Sequence, residues 1–456
     1  MRNEILQNAK RLHFVGIGGI SMSSLALLAR RAGYEVTGSD RNDSALVEEC
    51  RKAGCKITLG HYAESVEGAD AVIYTAAVSF DSPELKRASE LSIPCFSRAE
   101  FLGDVMLSYP TRIGVSGTHG KTTTTSMTAH ILIETENDPT VANGAVSAVL
   151  GGSALRVGGE EYFVYEACEY KASFHSFYPT VSIITNLELD HTDFYTSLEH
   201  MTDSFRRSLV GARIAIVNGD DADALKAADA FAGKLIRFSL KDETADYFAK
   251  NISFVDGCGR FTLCQNGKEI CEVSLPMIGH FNIANALAAI AATVCCGVAP
   301  EDAAASLAGF QGAARRFELK YKQNGITVAD DYAHHPSEIA ATLTGAKNTG
   351  AKRLITVFQP HTYSRTHDLF DGFVKALSLS DMVILPDIYA ARETNTLGVS
   401  SEKLANAIGD KARYMGDFAK IAEFLAKEAR DGDLILTMGA GDVYKIGNLL
   451  KEALEK

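Results

Sequence analysis

The sequence has no apolar run long enough to cross a membrane. Its most apolar stretch, Ala286 to Ala299, is shorter than the ~18 residues that a membrane-spanning helix needs, and most of its side chains are small. At the N-terminus, Met1-Arg2-Asn3-Glu4 opens a short polar stretch with no apolar signal region behind it. We therefore expect a buried helix in the apolar stretch, no targeting segment and no association with a membrane.

The sequence is also poor in positive charge. Lysine and arginine number 45 against 57 aspartates and glutamates, and the resulting net charge of −12 is spread along the chain. Such a balance attracts neither nucleic acid nor an anionic membrane, so we expect no partner of either kind. A local site can still bind an anionic small molecule, because its own charges can differ in sign from the total.

No C-x-x-C pair occurs among the cysteines. They number nine, which is odd, and they are scattered along the chain. This usage is typical of reduced thiols in a reducing cytosol. The sequence therefore predicts a cytoplasmic protein.

The 456 residues are enough for two to four domains, and the apolar share of 46% is ordinary for a globular protein. Strand, turn and helix signals alternate almost from end to end, which predicts α/β domains with parallel sheets and helices on both faces. The pattern indicates three blocks, residues 1–107, 108–312 and 313–456. The strands predicted from short apolar runs are Leu12 to Val15, Tyr34 to Thr37, Ala71 to Tyr74, Arg112 to Val115, Tyr162 to Tyr165, Val181 to Ile184, Ala215 to Val217, Ile326 to Ala329, Leu354 to Phe358, Met382 to Leu385 and Leu434 to Thr437.

The most informative segment lies between a predicted strand and a predicted helix and reads Gly114-Val115-Ser116-Gly117-Thr118-His119-Gly120-Lys121-Thr122-Thr123-Thr124-Thr125. Glycines at such a junction let backbone N–H groups and the positive end of a helix surround phosphate oxygens. A lysine in the place of Lys121 neutralises phosphate charge, and the next hydroxyl, Thr122, can bind Mg²⁺. Val115 stands where the strict phosphate-loop spacing has glycine, so this is a variant loop. It predicts a nucleotide site without specifying the reaction.

A second glycine-rich segment, Gly16-Ile17-Gly18-Gly19, follows the first predicted strand, and Asp40 lies roughly 20 residues further on. This arrangement resembles a dinucleotide-binding fingerprint, but Ser21 occupies the place of its last glycine or alanine. Two interpretations remain open from the residues alone. The segment binds a nucleotide diphosphate, or it is a purely structural tight turn.

In the middle block, Glu166 and His191 both follow predicted strands. Open α/β sheets place ligands at the carboxyl ends of their strands. A carboxylate and an imidazole beside a phosphate loop could hold the metal ion that neutralises a transferring phosphoryl group. On spacing alone, an ordinary surface position or a satisfied polar contact is the more frequent outcome for such residues.

The third block has two clusters at predicted strand ends, Asp330-Asp331-Tyr332-Ala333-His334-His335-Pro336 and Gln359-Pro360-His361-Thr362-Tyr363-Ser364-Arg365. Clusters rich in His, Asp and Arg suggest a site for a zwitterion or a charged nucleotide. At the join before this block, Arg315-Arg316-Phe317-Glu318 is either a solvated charge run or a source of a phosphate-contacting arginine.

Taken together and in this order, these segments resemble the Mur ligase family from about Leu12 to the C-terminus. The resemblance implies an α/β fold of three domains: a Rossmann-like N-terminal domain that binds the UDP of the substrate, a central P-loop ATPase-like domain with a mostly parallel sheet, and a Rossmann-like C-terminal domain that receives the amino acid. The family's usual acidic run after the metal-binding glutamate has Cys168 in place of an aspartate here, and a frequent arginine in the third block is Thr362.

Individual roles follow from the same resemblance. It implies ATP contacts at Gly117, Thr118, His119, Gly120, Lys121, Thr122, Thr123, Asn285 (adenine), Arg316 (phosphate) and Asp331 (ribose). It implies metal ligands at Thr122, Glu166 and His191, and nucleotide-sugar contacts at Gly16, Gly18, Gly19, Asp40, Thr75 and Asn143. It places His334 and Arg365 beside the incoming amino acid, and the catalytic set is Lys121, Glu166, His191 and His334.

The activity implied by the resemblance is ATP- and Mg²⁺-dependent ligation of L-alanine to the lactyl carboxylate of UDP-N-acetylmuramate, through an acyl phosphate, in peptidoglycan precursor synthesis. The alternatives are a recycling ligase that attaches a preformed tripeptide to the same nucleotide sugar, and a phosphate-loop kinase or NTPase. A nicotinamide oxidoreductase would explain the first block only. We expect a monomer or a weak homodimer.

Overall fold

The computed structural model describes residues 3–75, 78–79, 81–192, 194–255, 257–312, 314–391 and 393–455. The chain divides into two compact units. The first contains Met1–Tyr247 and Ala288–Ala303, and the second contains Phe248–Leu287 and Ala304–Lys456.

The N-terminal part of the first unit is a parallel sheet in the order β3-β2-β1-β4-β5, which is the strand order of a Rossmann-like fold up to its fifth strand. Its apolar strands are buried because helices cover the sheet; in β1, for example, Leu12, Phe14 and Val15 are fully buried. The strands are β1 (Arg11–Val15), β2 (Glu35–Asp40), β3 (Lys56–Leu59), β4 (Ala71–Tyr74) and β5 (Cys95–Ser97). The helices are α1 (Glu4–Asn8), α2 (Ile20–Arg31), α3 (Ala45–Lys52), α4 (Pro83–Glu90) and α5 (Arg98–Met106).

A second set of strands in the first unit runs in the order β12-β11-β10-β6-β9-β7-β8, and only β8 is antiparallel to its neighbour. The strands are β6 (Thr111–Ser116), β7 (Thr140–Ser147), β8 (Ser153–Arg156), β9 (Tyr162–Glu166), β10 (Val181–Ile184), β11 (Ile214–Asn218) and β12 (Lys234–Ser239). The helices are α6 (Lys121–Glu134), α7 (Leu198–Ser208) and α8 (Ala222–Ala227).

The two sets of strands in the first unit share one continuous apolar core. Phe101 and Leu102 of α5 belong to the same buried cluster as Phe174 and Phe177 of the middle block. The contact is close at Gly103, where a Cβ atom would lie 2.0 Å from the carbonyl oxygen of Ser176. Only glycine fits there without displacing backbone.

The second unit contains the strands β13 (Tyr247–Val255), β14 (Cys258–Gln265) and β15 (Lys268–Leu275), in the order β15-β14-β13. Its largest sheet has the order β16-β17-β21-β18-β19-β20 and is parallel except for β16. These strands are β16 (Glu318–Gln323), β17 (Ile326–Asp331), β18 (Arg353–Phe358), β19 (Met382–Leu385), β20 (Ala412–Tyr414) and β21 (Asp433–Met438). The helices from residue 280 onward are α9 (His280–Cys295), α10 (Pro300–Ser306), α11 (Pro336–Lys347), α12 (Tyr363–Asp368), α13 (Phe370–Leu377), α14 (Ser401–Ile408), α15 (Phe418–Glu428) and α16 (Tyr444–Leu454).

This architecture confirms the predicted α/β class with mostly parallel sheets, and each strand predicted from the sequence is present. Several strands extend further than predicted: Asp40, Asp330 and Asp331 are the last residues of β2 and β17, whereas the sequence placed them after a strand. The reason is that a polar side chain does not interrupt the backbone ladder: Asp330, for example, pairs in register with Glu318 and Thr437. The block limits at 107 and 312 remain predictions, and Ala313, where the third block starts, lies outside the described residues.

The predicted buried helix is α9, which begins and ends several residues earlier than the apolar stretch. Its side chains from Ala286 to Ala292 are fully buried. All nine cysteines are free thiols. None of the helices within the described part of the chain has the length and hydropathy that a membrane crossing requires.

Candidate active site

The loop between β6 and α6 has the strand-loop-helix geometry that its sequence predicts. Gly120 is the N-cap residue of α6 and has a φ of 83°, in the left-handed region that favours glycine. At Gly117, φ is 136°, and a Cβ atom would lie 2.0 Å from Oγ1 of Thr185. The two glycines therefore let the loop turn tightly against the segment that follows β10.

That segment, residues 185–188, holds the loop through several hydrogen bonds. The Thr118 hydroxyl donates to the carbonyl oxygen of Glu188 (2.9 Å), and the N–H of His119 donates to the side-chain oxygen of Asn186 (2.8 Å). The Thr185 hydroxyl donates to the carbonyl oxygen of His119 (2.6 Å). The backbone N–H groups at the start of α6 are thereby presented on a rigid support, as phosphate binding requires.

Lys121 is the first residue of α6 and is largely buried. Its Nζ donates to the carbonyl oxygens of Gly117 (2.6 Å) and Thr118 (3.0 Å) and lies 3.0 Å from the carboxylate of Glu169. Burial lowers the pKa of Lys121, but the neighbouring Glu169 carboxylate outweighs burial and raises that pKa above its ordinary value. Lys121 is therefore cationic at neutral pH, as a phosphate-neutralising lysine must be.

Thr122 and Glu166 are in direct contact. The Thr122 hydroxyl donates to Oε2 of Glu166 at 2.7 Å, and the N–H of Gly144 donates to the same oxygen at 3.0 Å. Mg²⁺ binds oxygen ligands about 2.0–2.1 Å away in near-octahedral geometry, which places neighbouring ligand oxygens about 3 Å apart. The hydroxyl and the carboxylate thus have the chemistry and spacing of two neighbouring Mg²⁺ ligands.

His191, the third predicted metal ligand, contacts Glu169, with Nε2 3.4 Å from Oε1. Its φ of 54° is unusual for a residue other than glycine, and such strain concentrates at functional sites. Glu169 is fully buried; burial raises its pKa, whereas Lys121 and His191 lower it, and the net pKa is below the ordinary value. The Glu169 carboxylate therefore stays ionised and links the phosphate-loop lysine to the histidine.

Asn143, a predicted substrate contact, is buried on β7. Its side-chain amide donates to the Ser126 hydroxyl of α6 (2.9 Å), and its side-chain oxygen accepts from the N–H of Gly144 (3.0 Å). These bonds place Asn143 next to the glycine that contacts Glu166. The structure therefore brings Asn143, Thr122 and Glu166 into one cluster.

The predicted nucleotide-sugar contacts of the first block also converge. The N–H of Gly18 donates to Oδ2 of Asp40 (2.8 Å), and a Cβ at Gly16 would lie 3.0 Å from the Thr75 methyl group. Gly19 is the N-cap residue of α2 and offers no side-chain cap. The Asp40 bond shows a structural function for the fingerprint, and the nucleotide-sugar contacts implied at these residues stay predictions.

In the second unit, two adjacent arginines have different surroundings. Arg315 forms an ion pair with the fully buried Asp330 (Nε to Oδ2, 2.8 Å) and donates to the carbonyl oxygens of Gly439 and Gly441. Arg315 and Arg316 both lie over the ring of Tyr332, at 4.9 Å and 5.4 Å from its centroid. Arg315 therefore ties the start of the third block to β17 and to the turn after β21, and Arg316 is the arginine available for a phosphate.

Asp331, the predicted ribose contact, accepts hydrogen bonds from the N–H groups of Phe317 and Ala333, each at 2.8 Å. Burial raises its pKa to about 6, although the nearby Arg316 opposes the rise. The predicted adenine contact, Asn285, is buried and donates to the side-chain oxygen of Asn282 (3.3 Å). Each of these groups lies within the second unit.

The predicted amino-acid contacts His334 and Arg365 both lie beside His361. The rings of His334 and His361 are 6.2 Å apart between centroids, and Nη1 of Arg365 is 3.3 Å from Nδ1 of His361. His361 in turn stacks on Tyr389, with 5.5 Å between ring centroids. The two strand-end clusters of the third block therefore meet, as expected for parallel strands.

Sequence reasoning assigned no function to three residues that organise this region: Glu169, Asn186 and Arg315. Asn186 lies within a segment that carries the family resemblance and Glu169 does not, but an acid three residues after Glu166 and an amide after a strand have no distinctive spacing. Arg315 could not be separated from Arg316 because the two are adjacent in a charged run.

Family models for three domains of the Mur ligases match the chain in sequence order. The model described as "Mur ligase family, catalytic domain" matches residues 11–110. "Mur ligase middle domain" matches residues 115–293, and "Mur ligase, glutamate ligase domain" matches residues 315–441.

Full-length relatives agree with these matches. The chain is 44% identical to the UDP-N-acetylmuramate–L-alanine ligase of Clostridium novyi (strain NT), over 99% of both chains. It is 45% identical to the enzyme of the same name from Acetivibrio thermocellus, over 96% of this chain and 95% of that one.

Two solved structures are similar over the whole chain. The UDP-N-acetylmuramate-alanine ligase of Thermotoga maritima has a TM-score of 0.82 at 29% identity and covers 98% of this chain and 99% of its own. A murein peptide ligase from Psychrobacter arcticus has a TM-score of 0.70 at 27% identity and covers 98% of both chains. Sequence and structure therefore indicate the same group of proteins.

Proposed function

The chain belongs to the Mur ligase family, and on that premise we propose that it joins L-alanine to the lactyl carboxylate of UDP-N-acetylmuramate at the expense of ATP, in peptidoglycan precursor synthesis. The observation that carries this proposal is the 44% identity to an L-alanine-adding relative over 99% of both chains. The higher TM-score and identity to the alanine ligase than to the murein peptide ligase favour the same acceptor.

In the first step, an oxygen of the lactyl carboxylate attacks the γ-phosphorus of ATP. The bond from that phosphorus to its bridging oxygen breaks, and ADP leaves. Lys121 and the N–H groups at the start of α6 neutralise and orient the phosphate oxygens, which is how proteins accelerate phosphoryl transfer. Arg316 would contact a phosphate of ATP, as the family resemblance implies.

In the second step, the deprotonated amine of L-alanine attacks the carbonyl carbon of the acyl phosphate. The tetrahedral intermediate collapses to the amide and releases inorganic phosphate. His334 and Arg365 would orient the amino acid, whose carboxylate suits an arginine partner. The acyl phosphate must be protected from water until the amine arrives, which suits a protein that binds each substrate on a different domain.

The reaction as proposed needs Mg²⁺. Thr122 and Glu166 have the donor chemistry and spacing that fit the ion, and His191 would join them from its position beside Glu169. When bound, the ion neutralises charge on the transferring phosphoryl group. We also infer a cytoplasmic location and a monomer or weak homodimer.

The test is ligation with purified protein, UDP-N-acetylmuramate, ATP and Mg²⁺, with release of phosphate as the readout. Phosphate release that requires both the nucleotide sugar and L-alanine is the expected result. If a preformed tripeptide replaces alanine with higher kcat/KM, the enzyme is a recycling ligase. Phosphate release that needs no amine would instead indicate an NTPase, and formation of ADP without phosphate release would indicate a kinase.

A further inference from the structure

Tyr195 is fully buried and makes hydrogen bonds to the backbone of both Glu169 and His191. Its hydroxyl donates to the carbonyl oxygen of Glu169 at 2.6 Å, and its N–H donates to the carbonyl oxygen of His191 at 2.9 Å. The carboxylate of Glu169 in turn lies 3.4 Å from Nε2 of His191 and 3.0 Å from Nζ of Lys121. Tyr195 is therefore bonded directly to both members of the acid–imidazole pair beside the phosphate loop.

Both residues that Tyr195 holds lie in or next to strained backbone. His191 has a φ of 54°, and Lys171 and Ala172, just after Glu169, have φ values of 52° and 54°. L-residues rarely adopt this left-handed conformation, because it brings Cβ close to the following carbonyl oxygen. Such backbone persists only where the surrounding contacts fix it.

The carbonyl oxygen of Glu169 accepts one further hydrogen bond, from the N–H of Ala172 at 2.8 Å. That bond closes the strained turn itself. The Tyr195 hydroxyl, by contrast, comes from a position 26 residues after Glu169. The tyrosine therefore anchors the turn from outside and ties it to the segment of His191.

The tyrosine hydroxyl is itself oriented by hydrogen bonds whose direction is fixed. Carbonyl oxygens only accept, so the tyrosine O–H donates to Glu169, and Nε2–H of His175 donates to the carbonyl oxygen of Ser204 at 2.9 Å. The Ser204 hydroxyl lies 3.2 Å from the tyrosine oxygen and donates to it, since the tyrosine proton is already used. Burial raises the pKa of Tyr195 to about 12, so the hydroxyl keeps the proton that it donates.

From these contacts we propose that Tyr195 is a positioning residue for the ligation reaction. It fixes Glu169 and His191 in the geometry that binds the metal–nucleotide complex, and through Glu169 it also fixes Lys121. The inference rests on the proposed function, because that function supplies the metal and the nucleotide. Since Tyr195 is fully buried, it acts through the residues that it holds and not by contact with a substrate.

The test compares Tyr195→Phe, which removes only the hydroxyl, with the matched control Tyr165→Phe. Tyr165 is also fully buried in the first unit, next to Glu166 on β9, but its hydroxyl has no hydrogen-bond partner among the described residues. Binding of Mn²⁺, which favours the same oxygen ligands as Mg²⁺, is measured by electron paramagnetic resonance with a non-hydrolysable ATP analogue present. This readout needs no turnover.

We expect Tyr195→Phe to weaken Mn²⁺ binding by about three- to tenfold, the usual effect of losing one neutral hydrogen bond. The Mg²⁺ concentration at half-maximal ligation rate should rise by a similar factor. The KM for L-alanine should stay that of wild type, because the predicted contacts His334 and Arg365 lie in the second unit. Tyr165→Phe should match wild type in all three measurements.

Ser204→Ala is the second variant, and it keeps the tyrosine while removing the donor that orients its hydroxyl. It should weaken Mn²⁺ binding by a smaller factor than Tyr195→Phe. The melting temperature of each variant shows whether it is folded at the assay temperature, and Ser204→Ala decides the question where Tyr195→Phe is not.

Two results would overturn the proposal. One is wild-type Mn²⁺ affinity in folded Tyr195→Phe, or in Ser204→Ala where Tyr195→Phe does not fold. The other is an equal loss in Tyr165→Phe, which would show that any missing buried hydroxyl loosens the unit. If wild type did not ligate alanine while Tyr195→Phe still bound Mn²⁺ more weakly, the proposed function would be wrong and the role of Tyr195 at the metal site would stand.

Discussion

The hydroxyl of Thr122 and the carboxylate of Glu166 lie 2.7 Å apart, joining the start of α6 to the end of β9. The N–H of Gly144, on the neighbouring strand β7, donates to the same carboxylate oxygen at 3.0 Å. The position of this carboxylate therefore depends on the space at residue 144 as well as on residue 166 itself.

Gly144→Ala should abolish most of the activity without unfolding the protein. A Cβ atom at residue 144 would lie 2.2 Å from Oε2 of Glu166, so the carboxylate must move away from Thr122. We expect kcat to fall by about 100-fold or more, as positioning errors of about 1 Å do in other enzymes. We also expect a higher Mg²⁺ concentration at half-maximal rate.

The matched control is Gly159→Ala, where the nearest atom to the added Cβ would be 3.4 Å away. This variant should retain wild-type kcat and Mg²⁺ dependence. If Gly144→Ala kept wild-type kinetics, the Glu166 carboxylate could not be a metal ligand in the position observed.

Lys121→Ala should lose both turnover and stability. Turnover depends on the lysine charge at the phosphates, and stability depends on the pair that Lys121 forms with the buried Glu169. Removing one partner of a buried pair costs about 3 kcal/mol or more in the free energy of unfolding, measured by urea denaturation. The double variant Lys121→Ala, Glu169→Gln should recover most of that stability, because no uncompensated carboxylate remains, and should still not ligate. Near-normal ligation by Lys121→Ala would rule out the phosphate-loop assignment.

Arg315→Ala and Arg316→Ala should have opposite profiles although the residues are neighbours. Arg315→Ala leaves Asp330 buried without its cation, so we expect a loss of about 3 kcal/mol in the free energy of unfolding. Arg316→Ala should keep the stability of wild type and weaken ATP binding by about tenfold, the usual effect of losing one charge-assisted contact. Denaturation curves and calorimetric titration with a non-hydrolysable ATP analogue distinguish the two. The reverse pattern would show that Arg315 is the phosphate contact.

ATP binding should strengthen between pH 5 and pH 7 through Asp331. Burial raises the pKa of this carboxyl to about 6, and only the ionised form accepts from a ribose hydroxyl with both oxygens. The contribution of Asp331 to the free energy of unfolding changes with pH in the opposite direction to ATP affinity. It is fully present below the unfolded pKa of about 3.9 and is lost as the pH rises through the folded pKa of about 6. Asp331→Asn should flatten both dependences, measured as ATP affinity and as the free energy of unfolding against pH. An unchanged pH profile in that variant would exclude Asp331 as the titrating group.

The local elements of the fold were predictable because their signals are local. The glycines at 117 and 120 fall where the chain must turn between a strand and a helix, and the apolar runs of β4, β10 and β19 predict those strands to the residue. Asp330 and Asp331 were assigned to the loop rather than to β17, because a polar residue at a ligand-facing strand end looks like the start of a turn.

The contacts within the site depend on pairs of residues far apart in sequence, and these were less predictable. Glu169 lies 48 residues from Lys121, and no pattern in either segment indicates that they meet. Arg315 differs from Arg316 because it pairs with Asp330, whose side chain faces inward on β17. That orientation is a property of the sheet register, which the sequence of the arginine run does not show.

The close packing of Gly103 against Ser176 limits where the chain can be divided into fragments that fold. Residues 1–107, excised as a fragment, would expose Phe101 and Leu102, which are buried in the core they share with the middle block. A chimera that exchanged this block for that of another ligase would have to import a matching partner for residue 103 as well. The N-terminal block is therefore tied by packing to residues 174–177 of the middle block, and we expect a chimera to fold only when both sides of this contact come from the same protein.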